Sequence, residues 1–248
     1  MPLWRRARTR GFPPSGNGAS SFHLAWRLPP GAGHLVEAGA TLEVLTPPTV
    51  DDLFFWALQV AFPAAGAAHL GLQWNHRHPG FGAVNWGGYA ADGSLLSGTD
   101  SLLPSTPDDP NTRDYPWQPA RPYRLTVRRA GESSWRGEVT DLTAGDTTAV
   151  RDLSASAPFL GDPLVWSEVF ARCDNPSVTV RWSDFEVVTD RSDRIAPAAL
   201  AVNYQSHADG GCANTNSVVD DQGGVLQITN TERLTPQGAA LALDSPSG

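Results

Sequence analysis

From residue 22 onward, short apolar runs alternate with clusters of Gly, Pro, Asn and Asp. The clusters recur about every ten residues, the rhythm of a β-sandwich or barrel. The pattern predicts strands over 22–28, 40–46, 53–62, 68–75, 82–90, 94–100, 121–130, 134–142, 146–152, 163–172 and 177–188. Turn signals part them: Pro29-Pro30-Gly31, Pro47-Pro48, His78-Pro79-Gly80, Asp92-Gly93 and Asn175-Pro176. Two further strands are expected over 199–205 and 225–231. No amphipathic helix longer than two turns and no internal repeat is visible.

Alternation assigns faces, because successive strand residues point to opposite sides of a sheet. Phe54, Trp56, Leu58, Val60 and Phe62 share one side of their strand, and Leu70, Leu72 and Trp74 share one side of the next. These predict the core. Phe55, Ala57, Gln59 and Ala61, followed by His69, Gly71, Gln73 and Asn75, predict a face that is polar and mostly small. In 164–172, Val165, Ser167, Val169 and Ala171 form the small side, while Leu164, Trp166, Glu168, Phe170 and Arg172 mix aromatics with charge, as the lining of a groove would. The phase slips in 177–188, predicting a bulge near Ser183-Asp184.

Composition agrees. Lys is absent and only 7 of the 26 acidic residues are Glu, so strong helix formers are scarce, whereas there are 24 Gly, 21 Pro and 9 Trp. The net charge of −8 repels phosphate backbones and argues against a nucleic-acid partner. No run approaches the about 20 apolar residues of a membrane-spanning helix. Arg5, Arg6, Arg8 and Arg10 precede a Gly/Pro/Ser-rich stretch without an apolar core, so residues 1–20 read as a disordered segment rather than an export signal. The expected organisation is this segment, a sandwich domain over 21–190, and an extension over 191–248 that packs on or extends the sandwich. Cys173 and Cys212 are either bridged, tying the last sandwich strands to the extension, or two buried thiols.

Phe54-Phe55-Trp56-Ala57-Leu58-Gln59, His69-Leu70-Gly71-Leu72-Gln73 and Tyr115-Pro116-Trp117-Gln118-Pro119 with Tyr123-Arg124-Leu125-Thr126-Val127 resemble a family of uncharacterised bacterial domains. That resemblance covers roughly residues 40–188. It implies an all-β, two-sheet antiparallel jelly-roll sandwich of the concanavalin A-like lectin/glucanase type, whose concave sheet is often a glycan groove. It transfers no catalytic residue.

Three functions stay open. In a non-catalytic carbohydrate-binding sandwich, Gln59, Gln73, Asn75 and Asn85 would pair with sugar hydroxyls, His76 would stand beside them, Trp166 would be a stacking platform and Glu168 a hydroxyl acceptor. Glycoside hydrolysis needs two carboxylates flanking the scissile bond, for which Glu168 and Asp184 are the candidates. The Glu-x-Asp-x-x-Glu signature of glucanases is absent, Asp184-Phe185-Glu186 being the nearest fragment. A lyase reading rests only on Gln205-Ser206-His207 and lacks an Arg-x-Glu-x-Arg strand. The third reading is a structural or protein-interaction sandwich without a ligand.

No cofactor is expected apart from a structural calcium, for which Asp109, Asn111 and Asp114 are weak candidates in a loop without the EF-hand Gly and Glu. His76 and His78 alternate like metal ligands but lack a third partner, and they serve equally as turn caps.

Overall fold

The computed structural model describes residues 9–107 and 109–243. They form an all-β sandwich of two large antiparallel sheets. The strands are β1 (Ser20–Arg27), β2 (Leu35–Thr46), β3 (Phe54–Phe62), β4 (Gly66–Trp74), β5 (Gly82–Ala90), β6 (Thr112–Asp114), β7 (Pro122–Arg129) and β8 (Ser134–Asp141). They continue with β9 (Asp146–Ser154), β10 (Leu164–Val169), β11 (Thr179–Thr189), β12 (Arg194–Ile195), β13 (Ala199–Tyr204), β14 (Thr215–Val219), β15 (Val225–Thr229) and β16 (Ala240–Ala242). The first sheet runs β16-β13-β1-β10-β3-β4-β5-β6 and the second β14-β15-β11-β2-β7-β8-β9, with β12 on β11.

The predicted core parity holds. Phe54, Trp56, Leu58, Val60, Phe62, Leu70, Leu72 and Trp86 are buried against Leu42, Val127, Val139 and Trp182 of the other sheet. A bulge interrupts β11 where its register with β2 jumps between Ser183 and Glu186, with Asp184 at φ 49°. One buried amide ties the sheets together. Gln227 Oε1 accepts hydrogen bonds from Ser167 Oγ (2.7 Å) and Trp182 Nε1 (3.0 Å), while its Nε2 donates to the Phe22 carbonyl (2.8 Å). Ser167 on β10 and Phe22 on β1 are thereby fixed from below, and with them the residues that both strands present on the opposite side.

Two expectations need correction. Residues 94–100 form no strand; Leu95 is 60% exposed, and the segment makes only isolated bridges, Leu95 to Tyr89 and Gly98 to Leu153. The expected disordered segment falls partly outside the described residues, over 1–8. Its residues 9–19 are fastened instead: the Cys173 amide donates to the Gly11 carbonyl (2.7 Å), and the Ala213 amide to Thr9 Oγ1 (2.8 Å). The region after 190 threads through both sheets, with β13 beside β1 and β15 beside β11. Cys173 and Cys212 are joined in a disulfide with Cα atoms 5.6 Å apart. None of the described helices is long and apolar enough to cross a membrane.

Candidate functional site

The strand register sets out the outer side of the first sheet in rows, with adjacent strands about 4.8 Å apart. One row reads Ser21, Glu168, Phe55, Gln73, Ala83 and Asp114. The next reads Asn203, His23, Trp166, Ala57, Gly71, Asn85 and Thr112. The third carries Leu164, Gln59 and His69. The face predicted from alternation in β3 and β4 therefore exists, and it gathers Gln59, Gln73, Asn85, Trp166 and Glu168.

Its centre is aromatic. Phe55, Ala57 and Trp166 form a small apolar cluster separate from the core, with Leu164 packed on it. The Trp166 ring lies 4.9 Å from Phe55, 5.7 Å from His69 and 6.4 Å from His23, each edge to face. Its indole N–H donates to Gln59 Oε1 (3.1 Å). Only Gly fits at position 71, where a Cβ would stand 2.0 Å from the Trp56 carbonyl oxygen and 2.7 Å from the Ala57 Cβ.

Polar groups surround that aromatic centre. The Gln73 carbonyl oxygen of the amide accepts from Asn75 Nδ2 (2.9 Å), and Asn85 Nδ2 donates to Thr112 Oγ1 (2.9 Å). Asn85 Oδ1 is buried without a partner. Burial lowers the pKa of His69 to about 4 and lowers that of His23, so both imidazoles are neutral at neutral pH. Glu168 is half-buried, and burial alone raises its pKa. It has neither hydrogen bond nor ion pair among the described residues.

The outer side of the second sheet is the opposite case. Arg128 grips Glu138 through two hydrogen bonds (2.7 and 2.8 Å), Arg136 grips Asp152 likewise (2.7 and 3.0 Å), and Arg181 bridges Glu43 (3.0 Å) and Asp220 (2.6 Å). Across β1, β3, β4, β5, β10 and β13 the only charged side chains besides histidine are Arg27, at the exposed end of β1, and Glu168. One face is laced with matched charges; the other carries Asp114 at its β6 edge, held by His78, and one unmatched carboxyl group, Glu168.

The structure separates other candidates. Asp184 lies in the bulge of β11 in the second sheet, where Arg124 bonds its carbonyl oxygen, whereas Glu168 faces outward from the first. The core stands between them, so they do not flank a common bond. No charged neighbour perturbs Glu168 either, which leaves it without a carboxylate partner among the described residues. Trp166 is only 6% exposed and is hemmed in by three rings, so it is a floor rather than an open platform. Asn75 and His76 serve the turn after β4: Asn75 Oδ1 accepts from the Arg77 amide (3.1 Å), and His76 Nδ1 contacts the Asp51 carbonyl (2.9 Å).

The loop oxygens are engaged by groups of the protein itself. Asp109 Oδ1 caps the Asn111 and Thr112 amides, Asn111 Oδ1 accepts from Arg151, and Asp114 holds His78 (2.6 Å) and Thr106. No metal-holding group of three His, Cys, Asp or Glu occurs among the described residues. Sequence reasoning placed His69 on this face and missed His23 and Asn203. His69 was readable from its place opposite Gln59, but His23 and Asn203 arrive through long-range pairing of β1 with β10 and β13 that leaves no local signal.

No protein-family model matches the sequence, and no curated protein matches it. Solved structures with a similar chain course include scytalido-glutamic peptidase in complex with a peptide-based transition-state analogue (TM-score 0.49, 9% identity, 86% of this chain and 98% of that one). Another is SCP-B, a member of the eqolisin family of peptidases, in complex with the tripeptide Ala-Ile-His (TM-score 0.47, 10% identity, 86% and 98%). A third is the carbohydrate-binding module CBM66 from Bacillus subtilis (TM-score 0.38, 11% identity, 72% and 90%). None of these likenesses transfers an activity or a residue to this chain.

Proposed function

We propose that this protein is a non-catalytic, lectin-like carbohydrate-binding sandwich of the concanavalin A-like jelly-roll type, and that its ligand lies on the outer face of the first sheet. The observation that carries this reading is Glu168, a half-buried carboxyl group without a partner among the described residues, on a face whose other carboxylate, Asp114, is held by His78 at the β6 edge. Leaving a buried ionisable group uncompensated costs stability, so such groups concentrate where a ligand supplies the missing contacts. A neutral polyhydroxylated ligand suits the site: its hydroxyls donate to Glu168, the amides of Gln59 and Gln73 pair with further hydroxyls, and its C–H faces rest on Phe55 and the Trp166 edge. That no carboxylate faces Glu168 among the described residues favours binding over two-carboxylate hydrolysis.

A screen against arrayed neutral and acidic glycans, with and without calcium, tests the proposal. A neutral oligosaccharide is expected to bind, and Glu168→Ala to weaken it by roughly tenfold or more, the loss of one hydrogen bond to a charged group. Glu168→Ala removes an unpaired group, so the fold survives in the variant. No binding across a broad array, or binding indifferent to Glu168→Ala, contradicts the proposal.

A further inference from the structure

Away from that face, the edge strands β6 and β9 of the two sheets bring together two arginines that form no ion pair among the described residues. A bulge in β9 is the cause. Gly137 pairs with Arg151 and Glu138 with Ala149, which leaves Val150 unpaired and breaks the alternation. Val150 and Arg151 are consequently both buried, Arg151 to 7% exposure. Its Nη1 donates to the Pro110 carbonyl (2.7 Å) and to Asn111 Oδ1 (3.1 Å), which carries the guanidinium across to the start of β6. Gly98 leaves room for it, since a Cβ there would lie 2.6 Å from Arg151 Nη2.

Arg113, paired with Val84 at the first sheet's edge, adds the second guanidinium. The Nε atoms of both residues are buried and without a hydrogen-bond partner. Neither arginine forms an ion pair among the described residues, unlike Arg136 on the neighbouring β8 or Arg181 on β11. Burial and the like charge of Arg113 together hold the Arg151 guanidinium below its usual pKa. Asp100 and Asp109 act in the opposite sense from outside ion-pair distance, and Asp109 Oδ1 is already engaged by the Asn111 and Thr112 amides. Two like charges driven together in a partly dry edge repel one another, and an anion between them relieves that repulsion.

We propose that Arg113 and Arg151 form a binding site for a small oxyanion, a carboxylate, sulfate or phosphate group carried by a ligand at the open edge between the sheets. Planar guanidinium forks match such groups through paired hydrogen bonds. The chain's net charge of −8 disfavours diffuse anion binding, so a saturable response marks a site. This site is separate from the proposed glycan face, and each can fail without the other.

Calorimetric titrations with sulfate, inorganic phosphate and glucuronate, at ionic strength held constant with chloride, test the proposal. At least one anion is expected to bind saturably, and Arg113→Gln to weaken it by roughly tenfold or more. The preferred anion tells a carboxylate from a tetrahedral group. On the wild-type chain, the 15N signals of Arg113 Nε and Arg151 Nε are expected to move together during the same titration, a readout independent of how any variant folds. No saturable binding by any of the three anions, or titration shifts that bypass both Nε signals, overturns the proposal.

Discussion

Replacing Cys173 and Cys212 together by Ala is expected to cost about 4 kcal/mol of stability at 25 °C and to lower the midpoint of thermal unfolding by roughly 10 °C. The bond closes a loop across a sequence separation of 39 residues, and that closure limits the unfolded chain. In the folded state it pins three segments at one spot. The Cys173 amide reaches Gly11, Asp174 Oδ1 accepts from the Gly11 amide (3.0 Å), and the Cys212 amide donates to Ser20 Oγ (2.8 Å) at the start of β1. Loss of the bridge therefore loosens the N-terminal segment and the entry to β14 as well as the loop itself. Thermal unfolding of the double variant, compared with the wild type in the presence and absence of a reductant, gives the number. A cost below about 1 kcal/mol would mean that the neighbouring hydrogen bonds hold these segments unaided.

The second large effect belongs to Gln227→Leu. The substitution is similar in size but removes the partner of two buried groups, Ser167 Oγ and Trp182 Nε1, and takes one donor from the Phe22 carbonyl oxygen. A buried polar group stranded in this way costs about 1–3 kcal/mol, so the expected destabilisation is on the order of 3 kcal/mol or more. Denaturant unfolding measures it. Because Ser167 and Phe22 lie beneath Glu168 and His23 in the sheet, the same variant is expected to weaken ligand binding at the outer face. A stability equal to that of wild type would show that water replaces the amide, and the node would then not be what locks β10 over the second sheet.

The core was readable wherever a strand alternates cleanly. Residues 54–62 and 66–74 announce both their buried side and their polar side, and the phase slip at Ser183-Asp184 announces the bulge. Where the core itself is polar, the pattern misleads. The strand Thr215–Val219 reads as loop because Thr215, Asn216 and Ser217 are polar, yet all three are buried. Their environment is a specific one: the Ser217 amide donates to the Tyr204 hydroxyl (3.0 Å), and Asn216 Oδ1 takes the Leu234 and Thr235 amides. Conversely, Leu95 and Leu96 look like strand residues, but Leu95 faces water while the chain crosses from one sheet edge to the other.

The candidate site was half legible for a related reason. Gln59, Gln73, Trp166 and Glu168 were found because β3, β4 and β10 carry their face in their own alternation. The order of strands was not legible, since it depends on pairings between residues as far apart as Ser20 and Val169. That ignorance placed Asp184 beside Glu168, two carboxylates that the sandwich sets on opposite outer sides. The arginine pair at the other edge was hidden twice, by long-range packing and by a bulge that alternation alone did not announce in β9.

The ligand is expected on the outer side of the first sheet, around Glu168. Titrating a neutral oligosaccharide identified by array into isotope-labelled protein tests this most directly, with the side-chain signals of Gln59, Gln73, His23, His69 and the Trp166 indole followed by NMR. These signals are expected to move together and saturate, while those of Arg128, Arg136 and Arg181 on the opposite side stay still. Saturable shifts confined to that opposite side, with His69 and Trp166 unmoved, would contradict it.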